Sequence, residues 1–245
     1  MSRKKKAVQP VKATPETFLR ELDAFGHHRS RWEKLHDFFE ASFCALAKMT
    51  APNPQAADDL EARYARVAEK YGGDEIVQEH FGKLLGLTGL ALGEQAQDFL
   101  GSVYMSAEVH NRRTGQFFSP WPIARMMAAL QFDADEVREK IAEGRPITLM
   151  EPAAGSGVMV LAFAEAMREV GIDPGQHLFA TTVDVDPSCV KMAFIQLSMS
   201  GIPACCIIGN SLTLEIFGHA YTPAAVRQHY NQTFKSDPAA LLKAG

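Results

Sequence analysis

A short apolar run, a glycine-bearing turn and an apolar helical pattern follow one another in the middle of this chain. Residues 146–150 read Pro-Ile-Thr-Leu-Met, which is typical of a buried strand. The turn EPAAGSG occupies residues 151–157, and residues 158–170 are apolar and Ala-rich, as expected for a helix. Because glycine lacks a Cβ and tolerates positive φ, such a turn lets the backbone approach a ligand closely. The helix start offers amide donors there, so the pattern predicts a nucleotide-type pocket at the carboxyl end of a strand.

The acidic residue at the start of this turn narrows the choice of ligand. Glu151 is a poor neighbour for a pyrophosphate, because two negative charges would lie close together in a partly dry site. A cationic or zwitterionic cofactor fits better, and S-adenosylmethionine carries both a sulfonium and an ammonium group. The alternative is an ordinary Pro-Ala-Gly turn of an α/β protein.

A second strand pattern covers residues 178–183, which are rich in β-branched side chains, and it ends in an acidic segment. A carboxylate at the tip of this strand is placed to accept hydrogen bonds from ribose hydroxyls, and we assign this role to Asp184. Asp186 fits a helix N-cap better, because Pro187 would then be the first helical residue.

A third strand pattern covers residues 204–208 and ends in the polar turn 209–211, which we expect to reach the adenine. The chain has four cysteines without metal-ligand spacing, so no metal site is expected. Two of them, Cys205 and Cys206, lie within this strand pattern and are predicted to be buried thiols that act as small apolar residues.

Three motifs together resemble the adenine-N6 DNA methyltransferases, in particular the modification subunits of type I restriction systems. Residues 114–120 (TGQFFSP) resemble the family's Gly-Gln-Phe/Tyr-Phe-Thr-Pro segment, which packs over the cofactor ahead of the first strand. Residues 151–157 resemble its Asp-Pro-Ala-Cys-Gly-Ser-Gly loop, with Glu151 for Asp and Ala154 for Cys. Residues 183–187 resemble its ribose-binding segment, and the resemblance runs from residue 112 to residue 213.

The resemblance implies an S-adenosylmethionine site made by these three motifs and by the end of the third strand. Asn210 stands where the family usually has an Asp that touches the adenine amino group, and Trp121 replaces an Arg. The expected cofactor-binding residues are Gln116, Phe117, Phe118, Ser119, Pro120, Glu151, Pro152, Ala153, Gly155, Gly157, Asp184, Val185 and Asn210.

The family's base-holding segment is missing from the sequence. In the family, an Asn/Asp-Pro-Pro-Phe/Tyr segment after the fourth strand binds the adenine amino group and stacks on the flipped base. No Pro-Pro dipeptide occurs in this chain, and the nearest candidate, residues 231–234 (NQTF), lacks both prolines. We therefore assign no catalytic residue.

The sequence predicts an α/β protein with a helical N-terminal region before a truncated, Rossmann-like sheet of about three parallel strands. The expected divisions are a basic disordered tail (1–13), a helical region (14–112), an S-adenosylmethionine-binding methyltransferase-like domain (113–217) and a helical C-terminal tail (218–245). About five helices are expected in the second of these, the first of them after Thr14-Pro15, a cap and first-turn signal.

With only three strands, the strand at 147–150 would be a sheet edge with unpaired amides. We expect a chain tail, a second copy or a partner subunit to cover it. DNA is a possible partner, directly or through a complex, although the net charge of −4 argues against a generally basic DNA-clamping surface. The basic residues 3–6 are either a solvated tail or a non-specific phosphate contact.

No apolar run is long enough to span a membrane, and a cytoplasmic location is expected. Three function classes remain open. The first is a DNA adenine methyltransferase with diverged catalytic residues, and the second is a non-catalytic family member acting through a restriction-modification or DNA-bound partner. The third is a small-molecule methyltransferase or another nucleotide-binding protein.

Overall fold

The computed structural model describes residues 12–108 and 118–227 of the chain. Its first part is helical, with α1 Pro15–Asp23, α2 Arg31–Lys48, α3 Pro54–Lys70, α4 Asp74–Glu94 and α5 Phe99–Glu108. The side chain of Thr14 caps α1 by accepting a hydrogen bond from the Thr17 amide, and Pro15 is the first helical residue. The expectation of about five helices in this region is therefore confirmed, including the start signal of the first.

The fourth helix is continuous although it carries four glycines, at positions 82, 86, 89 and 93. At one of them the glycine allows a close contact between helices. A Cβ on Gly89 would lie 2.7 Å from the Cε of Met199, at the end of a later helix. The small residue thus stabilises the fold through packing, which offsets its low helix propensity.

Two helices that the sequence analysis does not predict precede the sheet. They are α6 Trp121–Gln131 and α7 Ala134–Ala142. The inner face of α6 carries only small buried residues, Ala124 and Ala128, which belong to the same core as the helix that follows the first strand. Alanine at these two positions allows the two helices to pack closely.

The remainder alternates between strands and helices. The elements are β1 Ile147–Glu151, α8 Val158–Glu169, α9 Pro174–His177, β2 Leu178–Asp184, α10 Pro187–Met199, β3 Ala204–Asn210, β4 Glu215–Tyr221 and α11 Pro223–Arg227. The sheet order is β1-β2-β3-β4, in which β1, β2 and β3 are parallel and β4 is antiparallel to β3. The carboxyl ends of the three parallel strands therefore lie along the same end of the sheet, at Glu151, Asp184 and Asn210.

The fourth strand corrects the sequence prediction of a helical tail from residue 218. β4 crosses the expected boundary at 217/218, and helix α11 begins only at Pro223. The strand forms because its backbone pairs with β3, in the register Cys205↔Tyr221 to Asn210↔Glu215. Thr222 fixes this end of the pair, since its hydroxyl accepts from the Ala204 amide and donates to the Ile202 carbonyl. The residues expected to form helices after position 227 lie outside the described part.

The helical region and the sheet region are packed through α10. One core cluster joins residues of α1 to α5 with Cys189, Met192 and Ile195 of that helix. The opposite face of α10 and helix α8 cover the sheet in a second cluster. Of the helices described, none is both long and apolar enough to cross a membrane.

Candidate cofactor site

A cavity of about 270 Å³ lies at the carboxyl ends of β1 and β2. The turn after β1, the residue at the tip of β2 and the segment before α6 all contribute to its wall. The lining residues are Phe118, Ser119, Ala153, Ala154, Gly155, Val158, Met159, Asp184 and Cys189. Three separate motifs of the sequence therefore meet at one place.

The turn has the glycine geometry that the sequence predicts. Gly155 has φ +53° and Gly157 has φ +88°, in the left-handed region that side chains rarely adopt. A Cβ on Gly155 would also lie 3.0 Å from the ring of Phe118. That ring packs against Tyr104 of α5 at a centroid distance of 5.4 Å. The aromatic side chain thus closes over a turn that only glycine can form without strain.

Asp184 joins the tip of β2 to this turn. One carboxylate oxygen accepts a hydrogen bond from the Gly155 amide at 2.8 Å, and the other accepts from the Asp186 amide at 2.9 Å. Each carboxylate oxygen has two lone pairs, so both retain capacity for a ligand hydroxyl. Asp186 caps α10 through the Ser188 amide at 2.7 Å with Pro187 as the first helical residue, which confirms its predicted role.

The cavity wall carries one charged side chain among the described residues, and it is acidic. Asp184 is the one ionisable carboxylate among its lining residues, and no basic side chain of the described residues lines it. Ala154, Val158 and Met159 supply an apolar surface beside it. The described residues hold no cluster of side chains suited to a metal ion.

Several predicted site residues lie close to the cavity without lining it. Glu151 accepts a hydrogen bond from the Ala153 amide at 3.2 Å. Pro152 and Pro120 are exposed, Gly157 is buried beneath α10, and the Val185 side chain is 63% exposed. Whether they contact a ligand remains a prediction.

Asn210 uses its side chain within its own turn. Its Oδ1 accepts from the amides of Leu212 at 2.9 Å and Thr213 at 3.3 Å. Because β2 separates β3 from β1, the end of β3 lies about 10 Å from the end of β1. An adenine contact by Asn210 therefore stays a prediction, and Gln116 and Phe117 lie outside the described residues.

Four lining residues are not among the site residues predicted from the sequence: Ala154, Val158, Met159 and Cys189. The first three belong to the turn and the first turn of α8, so their positions next to Gly155 were the available signal. Cys189 lies in the first turn of α10, and burial raises the pKa of its thiol. This cysteine contributes a small apolar surface to the cavity.

These features together define a class of protein. A glycine turn after a parallel strand and a carboxylate on the next strand tip are typical of nucleotide-binding α/β proteins of the Rossmann-like type. The family model for N-6 DNA Methylase matches residues 95–238, more than half of the 245-residue chain. The chain belongs to this family.

Two solved structures show distant similarity. A putative class I S-adenosylmethionine-dependent methyltransferase from Listeria monocytogenes is 12% identical over 95% of this chain and 78% of its own, with a TM-score of 0.38. A type I restriction-modification system methyltransferase subunit from Streptococcus thermophilus is 13% identical over 78% of this chain, with a TM-score of 0.37. This chain covers 57% of the length of that subunit. No curated protein matches the sequence.

Proposed function

We propose that this protein binds S-adenosylmethionine in the cavity between the turn after β1 and the tip of β2. The observation that carries the proposal is the arrangement of Gly155, Asp184 and Phe118. Asp184 fixes the turn by its hydrogen bond to the Gly155 amide, and the Phe118 ring closes over the turn. The same arrangement leaves a carboxylate and an apolar surface facing one cavity.

The roles of the residues follow from their chemistry. Asp184 would accept hydrogen bonds from the ribose hydroxyls on its remaining lone pairs. Its negative charge, together with Glu151 nearby in the turn, would favour the positively charged groups of the cofactor. Ala154, Val158 and Met159 would contact apolar parts of the ligand. When bound, S-adenosylmethionine supplies an electrophilic methyl group.

Family membership makes adenine-N6 methylation of DNA the leading candidate reaction. The sequence, however, lacks the Pro-Pro segment that holds the target adenine in the family. We therefore propose a cofactor-binding member of the family whose catalysis depends on groups outside this chain.

The four cysteines are all free thiols, which supports a reducing compartment such as the cytoplasm.

Titration calorimetry with S-adenosylmethionine and its demethylated product tests this proposal. We expect saturable binding of both compounds. Asp133→Ala is the control for Asp184→Ala, because the Asp133 carboxylate also accepts hydrogen bonds from two backbone amides, but at the exposed start of α7. Its affinity should equal that of the wild type, and an absence of binding at millimolar cofactor would reject the proposed site.

A second candidate function, that of a subunit in a larger complex, is favoured by the open edge of the sheet. Within the described residues, β1 has a strand neighbour only on the β2 side. An exposed strand edge presents unpaired amides and carbonyls that other chains can bind. In open α/β sheets, ligands bind where the strand order reverses. The described residues supply no strand on the far side of β1, so the order does not reverse there. A strand added there would complete the crevice beside Glu151.

Helix α6 exposes an apolar face near this edge. Ile123, Met126, Met127 and Leu130 follow helical spacing and are 45%, 54%, 38% and 79% exposed. Phe132, directly after α6, packs on Phe163 of α8, whereas Arg168 of α8 reaches Ser200 at the end of α10. Residues 163 and 168 lie on different sides of α8, so α6 packs on one side of α8 and α10 on the other. The side of α8 away from α10 is the β1 side, and α6 lies there.

We propose that a partner subunit or a second copy of the chain covers β1 and this α6 face. Light scattering over a concentration series should show association that Met126→Glu with Leu130→Glu reduces. Glu75→Lys, at an exposed position of α4, is a control for a change of surface charge elsewhere. A wild-type chain that stays monomeric at all concentrations excludes the second copy and leaves the partner subunit.

A further inference from the structure

Behind the glycine turn, three buried polar side chains form a network that faces away from the cavity. Asp98 precedes α5, Ser156 lies between the two positive-φ glycines, and Gln196 belongs to α10. Their exposed fractions are 5%, 0% and 0%. The network therefore joins the helical region, the turn and the helix that packs between them.

Asp98 is the centre of this network. Its Oδ2 is 2.6 Å from the Ser156 hydroxyl, and its Oδ1 accepts from Gln196 Nε2 at 2.8 Å and from the Gly101 amide at 2.9 Å. A Cβ on Gly101 would lie 2.0 Å from the Asp98 carboxylate. The carboxylate can therefore occupy this space only because residue 101 is a glycine. Among the described residues, no cation forms an ion pair with it, and burial raises its pKa.

Gln196 attaches the same turn at a second point. Its Nε2 donates to the Ser156 carbonyl at 2.8 Å as well as to Asp98, and its Oε1 accepts from the Leu100 amide at 3.0 Å. The amide group thus has partners on both its nitrogen and its oxygen. A buried carboxyl without a cation is costly, and full satisfaction of every member is what makes such a network rigid.

We infer that Asp98 is a positioning residue for the cofactor turn. Asp184 holds the turn from the cavity side through Gly155, and Asp98 holds it from behind through Ser156. With both anchors in place, the Gly155 and Gly157 conformations are fixed before a ligand arrives, which lowers the entropy lost on binding. The inference rests on the proposed cofactor site, but the order of the turn can be measured without any ligand.

The test combines hydrogen–deuterium exchange of peptides covering residues 151–158 with calorimetric binding of S-adenosylhomocysteine. Asp98→Ala should speed exchange in these peptides and weaken binding about tenfold, the effect of losing one buried hydrogen-bond anchor. Asp98→Asn should bind within about threefold of the wild type, because its amide can donate to the Ser156 hydroxyl and its oxygen can still accept.

Asp37→Ala is the matched control. Asp37 is a buried carboxylate of a different network, bound to Lys70 at 2.6 Å and to the Tyr71 hydroxyl at 2.9 Å. Its loss should lower the melting temperature without changing exchange at residues 151–158 or the affinity. Ser156→Ala removes only one hydroxyl and serves if Asp98→Ala does not fold, with the same two changes expected.

Unchanged exchange and affinity in folded Asp98→Ala or Ser156→Ala would overturn the inference, as would an equal loss of affinity in Asp37→Ala. If the wild-type protein binds no S-adenosylhomocysteine, the proposed function fails. The exchange measurement still decides whether Asp98 orders the turn.

Discussion

Asp184 accepts backbone hydrogen bonds on both carboxylate oxygens, from Gly155 and from Asp186. The side chain therefore shapes the cavity as well as facing it. A substitution there removes a ligand acceptor and loosens the turn at the same time. A second variant is therefore needed to separate the two effects.

We expect Asp184→Ala to weaken binding of S-adenosylhomocysteine by roughly 1–3 kcal/mol, the usual loss for a charge-assisted acceptor. Asp184→Asn keeps one oxygen, and this oxygen can still accept from the Gly155 amide. It should therefore keep the turn anchored at Gly155 while losing the charge and the bond from the Asp186 amide, because Nδ2 cannot accept. Calorimetry on both variants measures the difference, and wild-type affinity in Asp184→Ala would contradict the ribose assignment.

Gly155 is a position in the cavity wall where a side chain is poorly tolerated. Its φ of +53° strains any other residue, and a Cβ would meet the Phe118 ring at 3.0 Å. Gly155→Val should abolish cofactor binding while the helical region stays folded, as judged by circular dichroism. A valine variant that binds normally would show that the turn is not the ligand site.

Gly171→Val separates the effect of φ from the effect of position. Gly171 also has positive φ, at +78°, but a Cβ there has no atom within 4 Å. This control should lose some stability and keep its affinity for the cofactor.

At the scale of elements, an ion-pair cluster ties three helices together. Glu40 of α2 accepts from Arg63 of α3 at 2.8 Å and pairs with Lys191 of α10 at 2.6 Å. Burial alone would raise the pKa of Glu40, but the hydrogen bonds from the two cations outweigh it and lower the pKa to about 2. The cluster attaches the helical region to the sheet region.

This pKa predicts acid sensitivity of the attachment. The folded value lies below the ordinary glutamate value of 4.5, so Glu40 stabilises the fold above that pH. The contribution, on the order of 3 kcal/mol, is lost as the pH falls from 4.5 towards 2. Urea denaturation across this range should show a steeper loss of stability in the wild type than in Glu40→Gln.

The charge-matched comparison is Glu61→Gln, since Glu61 is largely exposed and pairs with Lys48 on the surface. Its stability should follow the wild-type pH profile, because exposed pairs contribute little. A Glu40→Gln profile that is parallel to the wild type would contradict the assignment.

At the scale of the molecule, β1 is an edge strand of the described sheet, and the other two parallel strands, β2 and β3, lie on one side of it. Methyl transfer to adenine needs the base held and aligned near the sulfonium, a geometric demand worth several orders of magnitude in rate. We expect the isolated chain to transfer no tritiated methyl groups to mixed DNA, even when it binds cofactor.

Robust incorporation into adenine by the purified chain would contradict this expectation. The search for a catalytic amide would then turn to Asn231, which lies outside the described residues. The Asn231→Ala variant is the direct check, with Asn53→Ala, a change in the cap of α3, as its control.

Helices α1 to α5, α8 and α10, the turn and the three parallel strands could be predicted from the sequence because their causes are local. Thr14 and Asp186 cap helices whose first residue is a proline, and Gly155 and Gly157 occur where the chain must adopt positive φ. Largely apolar or β-branched runs of five or six residues mark the strands. Each of these signals lies within a few residues of the structure that it specifies.

By itself, the sequence therefore determined the N-terminal helices, the order of the three parallel strands and the turn on which the candidate site depends. Tertiary structure decided the antiparallel β4, the exposed face of α6 and the contact of Asp98 with Ser156 and Gln196. These features join residues far apart in the chain. β4 forms because β3 pairs with its backbone groups. Asp98 reaches the turn only because α5 and α10 pack beside it, so no local sequence pattern predicts either feature.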